Sequence, residues 1–369
     1  MIRLGFVGDV MPGGEFLYHG HIDKRIKDMF GKFDLRIANL ESAICDGKTK
    51  CHIKINDPKL GNIIFSPEEA ICVLKELNIN VVSLANNHVC DCDLEGLKNT
   101  IEILDKNGIV HFGAGRTKKE AEQPAFIRIK DKSFCFLGYF PPNWEAPYPP
   151  TEKNGGLNHF YIDKIISDIE RYKKECDYLF VLPHWGKEYT RLPFVSDVIY
   201  AKQIIEAGAT AVIGSHTHIV QSVLKYKKGL IAMSLGNFIF PDRWIVPPRM
   251  TYYPSEEERN LKKHPVVYGF PIVNELSYKK VDDANREGVV LSVDINEQNV
   301  EYNLTYTKLD YNHYLNVSPL KTLERIKLML LALVLKDSRT FLYRFYCRFY
   351  GLYGRAISKM KRILKVNHA

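Results

Sequence analysis

Polar residues able to bind metal ions or transfer protons follow short apolar runs at six places in this chain of 369 residues. In chain order the groups are Gly-Asp-Val-Met at 8–11, Asn-Leu-Glu at 39–41, Asn-Asn-His at 86–88, His-Trp-Gly-Lys-Glu-Tyr at 184–189, Gly-Ser-His-Thr-His at 214–218 and Ser-Leu-Gly-Asn at 234–237. A lone Asp after a strand usually caps a turn, and a lone His usually makes a structural hydrogen bond. The ordered set is difficult to explain by packing, so it predicts a functional site.

The chemistry that suits these residue types is hydrolysis at a centre with two metal ions. Two cations about 3.5–4 Å apart clamp an oxyanion and lower the pKa of the water between them. Imidazole together with carboxylate favours Zn, Mn or Fe. His216 and His218 alternate along the chain, so both reach one centre only if the backbone bends, which Gly214 would permit.

Alternating strands and helices must position these groups. Apolar runs predict strands at 2–7, 35–38, 81–84, 134–139, 178–182, 211–213, 230–233, 289–293 and 300–307, and helical patterns occupy 67–77, 94–106 and 201–207. Ser66 is the predicted N-cap of the first helix, with Glu69 three residues later. The fold class is therefore α/β. Because ligands bind at the carboxyl ends of strands in open α/β sheets, we expect the polar groups to meet at one sheet edge.

Segment 241–287 interrupts this alternation. It is rich in Pro, Tyr and charged residues, and a loop of this length in a compact domain is usually functional or disordered. We expect it to act as a lid or specificity loop, with Trp244, Tyr252 and Tyr253 as candidates to touch substrate. Beyond it, a boundary divides the chain into a body, 1–316, and a tail, 317–369.

The positive charge of the chain lies in that tail. The net charge is +8, yet 317–369 contains twelve Lys or Arg against two Asp or Glu, so the body is slightly acidic. A body without basic excess argues against a nucleic-acid partner. The tail has aromatic residues at helical spacing beside arginines. It predicts a helix that either lies on an anionic membrane surface or packs on the body with a solvated basic face.

The eight cysteines show no spacing typical of a disulfide framework or a zinc site. We therefore expect reduced thiols and a reducing compartment. The first apolar run stops at Gly8, too short for a signal peptide, and no apolar stretch is long enough to span a membrane. These features predict a cytoplasmic location, with membrane association through the tail as the alternative.

The six motifs, taken in this order, resemble the CapA family of capsule and poly-γ-glutamate synthesis proteins. With Gln221 and Phe238 included in the last two motifs, they extend from residue 8 to residue 238. The family's fold is similar to that of the calcineurin-like metallophosphoesterases. The resemblance therefore implies a four-layer α/β/β/α sandwich, here with a C-terminal helical tail, and a cofactor of two divalent metal ions, Mn, Fe or Zn.

For metal binding, the resemblance implies two sets of ligands. The first set is Asp9 and His218, the second is Asn87, His184 and His216, and Glu41 would bridge the two metals. Met11 stands where metallophosphoesterases usually place a His ligand, so the first set is the weaker one.

For catalysis, the resemblance implies that His88 acts as a general acid or as a donor to the transition state. Glu188 is the second predicted catalytic residue. The other motif residues are interpreted as contacts to the ligands or to the substrate, and they are Asn39, Tyr189, Gln221 and Asn237.

Three functions are compatible with these features. The first, favoured by the intact ligand set, is a metal-dependent hydrolase in which a bridging hydroxide attacks a phosphoester, or an amide of an anionic polymer. The second is a non-catalytic accessory factor for polymer or capsule assembly that retains the metal site. The third is a membrane-docked binding protein whose tail carries the function.

Overall fold

A computed structural model describes residues 1–47, 52–56, 61–142, 148–151, 154–260, 265–267, 273–296, 300–337, 341–345 and 347–348. The first large sheet has the spatial order β2 (His21–Ile22), β23 (Tyr314–Val317), β22 (Val300–Leu309), β21 (Glu287–Ile295), β1 (Ile2–Val10), β3 (Leu35–Leu40), β6 (Val81–Ser83) and β7 (Val110–Phe112), with β16 (Asn237–Ile239) also pairing with β1. The second has the order β14 (Val223–Tyr226), β15 (Gly229–Ala232), β13 (Ala211–Ile213), β12 (Tyr178–Pro183), β10 (Lys132–Tyr139) and β9 (Ala125–Ile129).

Smaller sheets and helices complete the fold. The short strand pairs are β4 (Ala43–Ile44) with β5 (Phe65–Ser66) and β8 (Ala114–Gly115) with β11 (Gly156–Leu157). The α-helices are α1 (Phe16–His19), α2 (Lys24–Phe30), α3 (His52–Asn56), α4 (Ile71–Glu76), α5 (Asp93–Lys106), α6 (Lys118–Glu122), α7 (Ile162–Tyr172), α8 (Val195–Ala207), α9 (Glu256–Arg259) and α10 (Thr322–Leu335).

Side-chain alternation along the strands produces four layers. On β1, Phe6 packs between the two large sheets, against Phe136 and Phe180 of the second sheet. Its neighbour Val7 points to the other face, into a core shared with α2, α4 and α5. The outer face of the second sheet packs in the same way against α7, α8 and α10. Since period-2 alternation gives each sheet two apolar faces, the predicted α/β/β/α sandwich is confirmed.

The predicted strands and helices of the body are all present, most of them with shifted ends. The first strand extends to Val10, so Asp9 lies inside it rather than after it. The prediction that Ser66 caps a helix is wrong, because Ser66 lies in β5 and its Oγ is 2.7 Å from Ser42 Oγ. A short 3-10 turn, Glu68–Ala70, precedes α4 instead, without a side-chain cap.

The described parts of segment 241–287, which are 241–260, 265–267 and 273–287, form a folded element rather than a loop. It forms a separate sheet with the order β18 (Met250–Tyr252), β17 (Arg243–Val246), β20 (Ser277–Lys280) and β19 (Pro265–Val267). The segment's charged and aromatic composition is typical of a loop. Many of these residues are instead buried in the small sheet. Its predicted role as a lid stays a prediction.

The start of the tail packs on the body. The last strand, β23, pairs with β22 and ends at Val317, so it includes the first residue of the predicted tail. Helix α10 then buries Leu328, Leu331 and Leu335 against both sheet layers. The predicted helix beyond residue 348 lies outside the described residues. Among the residues that are described, no helix is long and apolar enough to cross a membrane.

One pair of cysteines contradicts the prediction of free thiols. Cys45, after β4, is joined to Cys92, before α5, in a disulfide that links positions 47 residues apart in the sequence. Spacing could not reveal this pair, because the close approach of β4 and α5 creates it. Disulfides persist in oxidising compartments, so the cysteines no longer support a cytoplasmic location.

Candidate metal centre

Six predicted metal ligands converge at the carboxyl ends of the central strands. Asp9 lies near the end of β1, Glu41 directly follows β3, Asn87 follows β6, His184 directly follows β12, and His216 and His218 follow β13. The prediction of a single sheet edge is therefore wrong. Three of these residues come from the first sheet and three from the second, and the two edges face the same point because the sheets pack face to face.

One set of atoms surrounds Nε2 of His184. His216 Nδ1 lies 3.0 Å from this nitrogen, Asn87 Oδ1 lies 3.0 Å from it, and Glu41 Oε1 lies 3.3 Å from it. These are the residues predicted for the second metal, together with the predicted bridge. Ligand atoms of Glu41, His184 and His216 all lie within 4.8 Å of one another, which is the spacing expected around one cation.

A second set of atoms surrounds Nδ1 of His218. Asp9 Oδ2 lies 3.6 Å from it, Glu41 Oε2 lies 3.9 Å from it, and Asn237 Oδ1 lies 2.9 Å from it. Glu41 thus directs one carboxylate oxygen to each set. This placement corresponds to the bridging position that the resemblance implies for Glu41.

The donors fit divalent cations in their chemistry. Both carboxylate oxygens of Glu41 are buried without a hydrogen-bond partner among the described residues, and His184, although near, does not approach in hydrogen-bonding geometry. Burial raises the pKa of Asp9 to about 7 and the pKa of Glu41 well above its usual range. A cation between these oxygens would satisfy them and offset their desolvation.

The three histidines are suited to act as neutral ligands. Burial lowers the pKa of His216 and of His218 to about 3, and it holds the pKa of His184 well below its usual value. Metal ions bind the neutral imidazole, so no proton has to be displaced from these rings at neutral pH.

The bend that brings both histidines of β13's loop to the centre lies at the histidines themselves. His216 has a φ of 88° and His218 a φ of 54°, a left-handed conformation that is costly for residues other than glycine. The N–H of His216 donates to Asp9 Oδ2 at 3.2 Å, which helps to hold this conformation. The prediction that Gly214 supplies the bend is wrong. A Cβ at Gly214 would lie 2.1 Å from the carbonyl oxygen of Met233, so close packing requires the glycine.

Two predicted supporting residues hold the candidate ligands in place. Asn39 Nδ2 donates to Asp9 Oδ1 at 2.9 Å and lies 3.2 Å from His184 Nδ1. Asn237 directs its Oδ1 to His218, while its Nδ2 donates to the carbonyl of Asn285 at 2.7 Å. Such contacts fix the orientation of an imidazole or carboxylate ligand.

His88 is held by a buried charge network that sequence reasoning missed. Its Nδ1 lies 2.6 Å from Asp91 Oδ2, and the other oxygen of Asp91 pairs with the ammonium of Lys54. Lys54 also donates to the carbonyl of Asn87 at 2.8 Å. The His-x-x-Asp spacing was visible in the sequence, but Lys54 lies on a separate helix with no signal. Burial lowers the pKa of His88 to about 4 against the opposing effect of Asp91.

The loop after β12 places two predicted residues, Glu188 and Tyr189, near His218. The ring of Tyr189 stacks on His218 at a centroid distance of 5.5 Å. Glu188 Oε1 lies 3.9 Å from His218 Nε2, at the margin of the centre. Gln221, which follows β13, donates its amide N–H to the carbonyl of Thr190 at 2.8 Å and so braces this loop, and its predicted contact to a ligand or to the substrate stays a prediction.

Three aromatic residues predicted to touch substrate are engaged within the protein. Trp244 is buried against Tyr278. The hydroxyl of Tyr253 donates to the carbonyl of Phe65 at 2.8 Å and accepts from a backbone N–H. The hydroxyl of Tyr252 bonds to Glu258 at 3.1 Å. These contacts stabilise the small sheet, which explains the aromatic content of the segment.

Met11 does not take part in the centre. It is fully buried in a small apolar cluster with Ile64, Phe240 and Val281. The first set of ligands therefore lacks the additional imidazole that a histidine at this position would supply.

An aromatic cavity leads to the second set of ligands. Its volume is about 480 Å³, within the range of small-molecule sites, and its wall includes His184 and His216. The other lining side chains include Phe140, Phe160, Trp185, Phe194 and Tyr200. The buried carboxylate of Asp197 also faces this cavity, and burial raises its pKa to about 6.

A four-layer α/β sandwich with carboxylates and imidazoles at the carboxyl ends of its central strands defines a class of proteins with a buried candidate site for divalent metals. Within this class, the chain belongs to the family described as bacterial capsule synthesis protein PGA_cap, which matches residues 3–242. The match includes every candidate ligand. The predicted CapA resemblance is confirmed.

Two curated relatives carry the CapA name. The capsule biosynthesis protein CapA of Bacillus anthracis is 33% identical over 184 residues, which cover 49% of this chain and 45% of that protein. The PGA biosynthesis protein CapA of Bacillus subtilis is 26% identical over 251 residues, covering 66% of this chain and 64% of that protein. The chain thus spans between about half and two-thirds of these relatives. A solved structure, a putative 5'-nucleotidase from Staphylococcus aureus, aligns with a TM-score of 0.47 and 11% identity over 82% of this chain and 53% of that one.

Proposed function

We propose that this protein is a metal-dependent hydrolase that acts on a phosphoester, or on an amide of an anionic polymer, in the assembly of a capsule or of poly-γ-glutamate. The observation that carries the proposal is the convergence of two sets of donors that share Glu41, at the end of an open cavity of about 480 Å³. Buried, unsatisfied carboxylate oxygens beside an accessible cavity favour catalysis over a purely structural role.

Two divalent cations, Mn, Fe or Zn, would supply Lewis acidity and lower the pKa of a bound water. One would be held by Asp9, His218 and Glu41. The other would be held by Glu41, Asn87, His184 and His216. The remaining task of the chain is to deliver a proton and to orient the substrate.

His88 is the residue proposed to move that proton. Asp91 holds Nδ1 of His88 at 2.6 Å, so its Nε2 is directed towards Asn87 and the ligands. Because burial lowers the pKa of His88 to about 4, the ring is neutral at pH 7, with its Nδ1 held by Asp91. Its Nε2 would therefore accept a proton from the attacking water and then pass that proton to the leaving group. Glu188, near His218, is proposed as a second proton-transfer group.

A non-catalytic accessory function is the second candidate. Met11 lies in an apolar cluster, so the first set of ligands is small. A relative in Mycobacterium tuberculosis, 24% identical over 182 residues, is described as a probable polyglutamine synthesis accessory protein. In this alternative the metal centre would stabilise the fold or a bound polymer.

Replacing His88 by Ala separates the two candidates. With Mn²⁺ or Zn²⁺ present, the unmodified protein is expected to hydrolyse bis(p-nitrophenyl) phosphate or poly-γ-glutamate, and His88→Ala to lower kcat by about 10²–10⁴-fold because proton transfer is lost. The metal content of the variant is expected to stay unchanged. His111→Ala is the control, since His111 pairs with Asp105 away from the centre. Failure of the metal-loaded protein to turn over either substrate would favour the accessory function.

The tail is proposed to dock on an anionic membrane surface. Helix α10 leaves Leu323, Met329, Leu330 and Leu333 more than half exposed, although its opposite face is packed on the body. Further along the tail, Phe341, Leu342 and Phe345 are exposed as well. Exposed apolar side chains within a segment of twelve basic and two acidic residues match the apolar interior and anionic surface of such a membrane.

Vesicle sedimentation tests the tail proposal. The protein is expected to sediment with vesicles of phosphatidylcholine mixed with phosphatidylglycerol, and far less with phosphatidylcholine alone. Changing Met329 and Leu333 together to Glu is expected to lower binding at least about tenfold, because each side chain contributes roughly 1.5–3 kcal/mol on burial. Phe126→Glu, at an exposed site on β9, is the matched control. Equal binding by the double variant, or self-association through this face, would contradict the proposal.

A further inference from the structure

Two buried cations lie beside the metal centre, and neither belongs to a motif that the sequence indicated. Arg243 on β17 and Lys279 on β20 are directly opposite each other in the small sheet of segment 241–287. Arg243 is 2% exposed and Lys279 is 6% exposed. Both lie beyond the family match, which ends at residue 242.

Aromatic stacking connects Arg243 to the candidate ligands. Its guanidinium lies 5.5 Å from the ring centroid of Phe240, and that ring lies 4.7 Å from the imidazole of His218. A narrow cavity of about 20 Å³ touches His218, Asn237, Arg243 and Lys279, with Tyr189 at its side. A cavity needs about 10–15 Å³ to hold one water, so this space admits a single oxygen-sized group.

The guanidinium of Arg243 is not fully satisfied by the protein. No carboxylate within the described part of the chain forms an ion pair with it, and its Nε has no hydrogen-bond partner there. Arg286, buried nearby, shows the usual arrangement: it pairs with Asp242 and donates to the carbonyls of Val281 and Asp310. A buried donor without an acceptor is costly, so an acceptor from a bound ligand is expected at Nε of Arg243.

The position of Lys279 opposite Arg243 strengthens this expectation. Burial and the nearby positive charge of Arg243 hold the pKa of Lys279 well below its usual value, against the opposing effect of Glu188. Arg243 and Lys279 both border the small cavity, as expected of a subsite for an anion, whose charge would favour the protonated form of Lys279.

We propose that Arg243 and Lys279 form an oxyanion subsite that binds a carboxylate or phosphate oxygen of the substrate beside the metal centre. The proposal rests on the proposed hydrolase function and assigns to it a substrate that carries a negative charge next to the bond to be broken. Arg243 offers the unpartnered Nε–H of its guanidinium, and Lys279 borders the same cavity, a combination suited to either oxyanion. Segment 241–287 thus recognises substrate through buried cations rather than through exposed aromatic rings.

Anion binding to the metal-loaded protein tests the subsite directly. Binding of inorganic phosphate and of glutarate is measured by calorimetry for the unmodified protein and for Arg243→Gln, Arg243→Lys and Lys279→Gln. We expect each Gln variant to weaken binding of the preferred anion at least tenfold, and Arg243→Lys to weaken it less because the charge is retained. Preference for phosphate would indicate a phosphorylated substrate, and preference for glutarate a polymer carboxylate.

Control variants allow the anion-binding result to be judged independently of whether the protein is a hydrolase. Arg128→Gln, at an exposed site on β9, should bind both anions as the unmodified protein does, and metal content should be equal in all variants. Loss of anion binding without any hydrolysis would retain the subsite and reject the hydrolase. Unchanged binding in both Gln variants would overturn the subsite. If the Gln variants do not fold, unchanged phosphate and glutarate binding by Arg243→Lys would overturn it as well.

Discussion

Replacing Glu41 by Gln is expected to empty both metal positions at once. Glu41 directs Oε1 towards His184 and Oε2 towards His218, so it is the residue common to the two sets. The amide has the same shape as the carboxylate but lacks its charge. Elemental analysis should therefore show a fall from about two divalent ions per chain to nearly none.

Without metal, the Glu41→Gln variant should be at least as stable as the unmodified protein. Burial raises the pKa of Glu41 well above its usual range, so the neutral amide avoids a desolvation cost that the carboxylate bears. In the presence of metal the unmodified protein should be the more stable of the two. A ligand at 100 times its Kd contributes about 2.7 kcal/mol to the stability of the protein that binds it, and Glu41→Gln loses this contribution.

Two comparisons sharpen the metal experiment. His218→Ala removes a ligand from the first set alone and is expected to retain about one ion per chain. Asp294→Asn is the control for a carboxylate change on the same sheet, since Asp294 pairs with Arg3 away from the centre. Retention of two ions by Glu41→Gln would exclude its bridging role and with it the shared centre.

Replacing Asp91 by Ala is expected to destabilise the fold by about 3–5 kcal/mol, because it breaks a buried ion pair and leaves one partner charged. Asp91 accepts from Lys54, from His88 and, at 2.6 Å, from the N–H of Ile64. Its loss leaves the ammonium of Lys54, which is 2% exposed, without its carboxylate. Urea unfolding, with a fall in the midpoint at constant slope, measures the change.

A paired substitution distinguishes the buried charge from simple loss of packing. Changing Lys54 to Met together with Asp91 to Leu removes both charges and should recover much of the stability, since apolar replacement of a whole buried pair is often nearly neutral. Asp105→Ala is the control, because its half-exposed carboxylate should contribute less than about 1 kcal/mol. A loss below about 1 kcal/mol for Asp91→Ala itself would show that the network carries little stability.

The candidate ligands could be inferred from local sequence. Asp9, Glu41, Asn87, His184 and His216 each lie within or soon after an apolar run, and apolar periodicity is a property of neighbouring residues. The α/β class follows from the same periodicity. For these features, side-chain chemistry and short-range pattern were sufficient.

The charged residues buried near those candidate ligands come together through contacts between distant segments. Lys54 pairs with Asp91 through the packing of a helix, and Arg243 lies opposite Lys279 through the pairing of two strands. No pattern within either segment indicates its partner, because a buried charge and a solvated surface charge look the same in a sequence. The disulfide of Cys45 with Cys92 was missed for the same reason.

The position of the candidate metal centre separates what the local sequence determines from what the tertiary structure determines. The sequence predicts the residues of the centre and their order, because a buried strand is apolar along its length and polar residues follow where it ends. That Asp9 meets His218 follows instead from two sheets stacked face to face, so that their carboxyl edges share one point. The stacking is decided by apolar burial summed over both sheets, a quantity that no single segment contains.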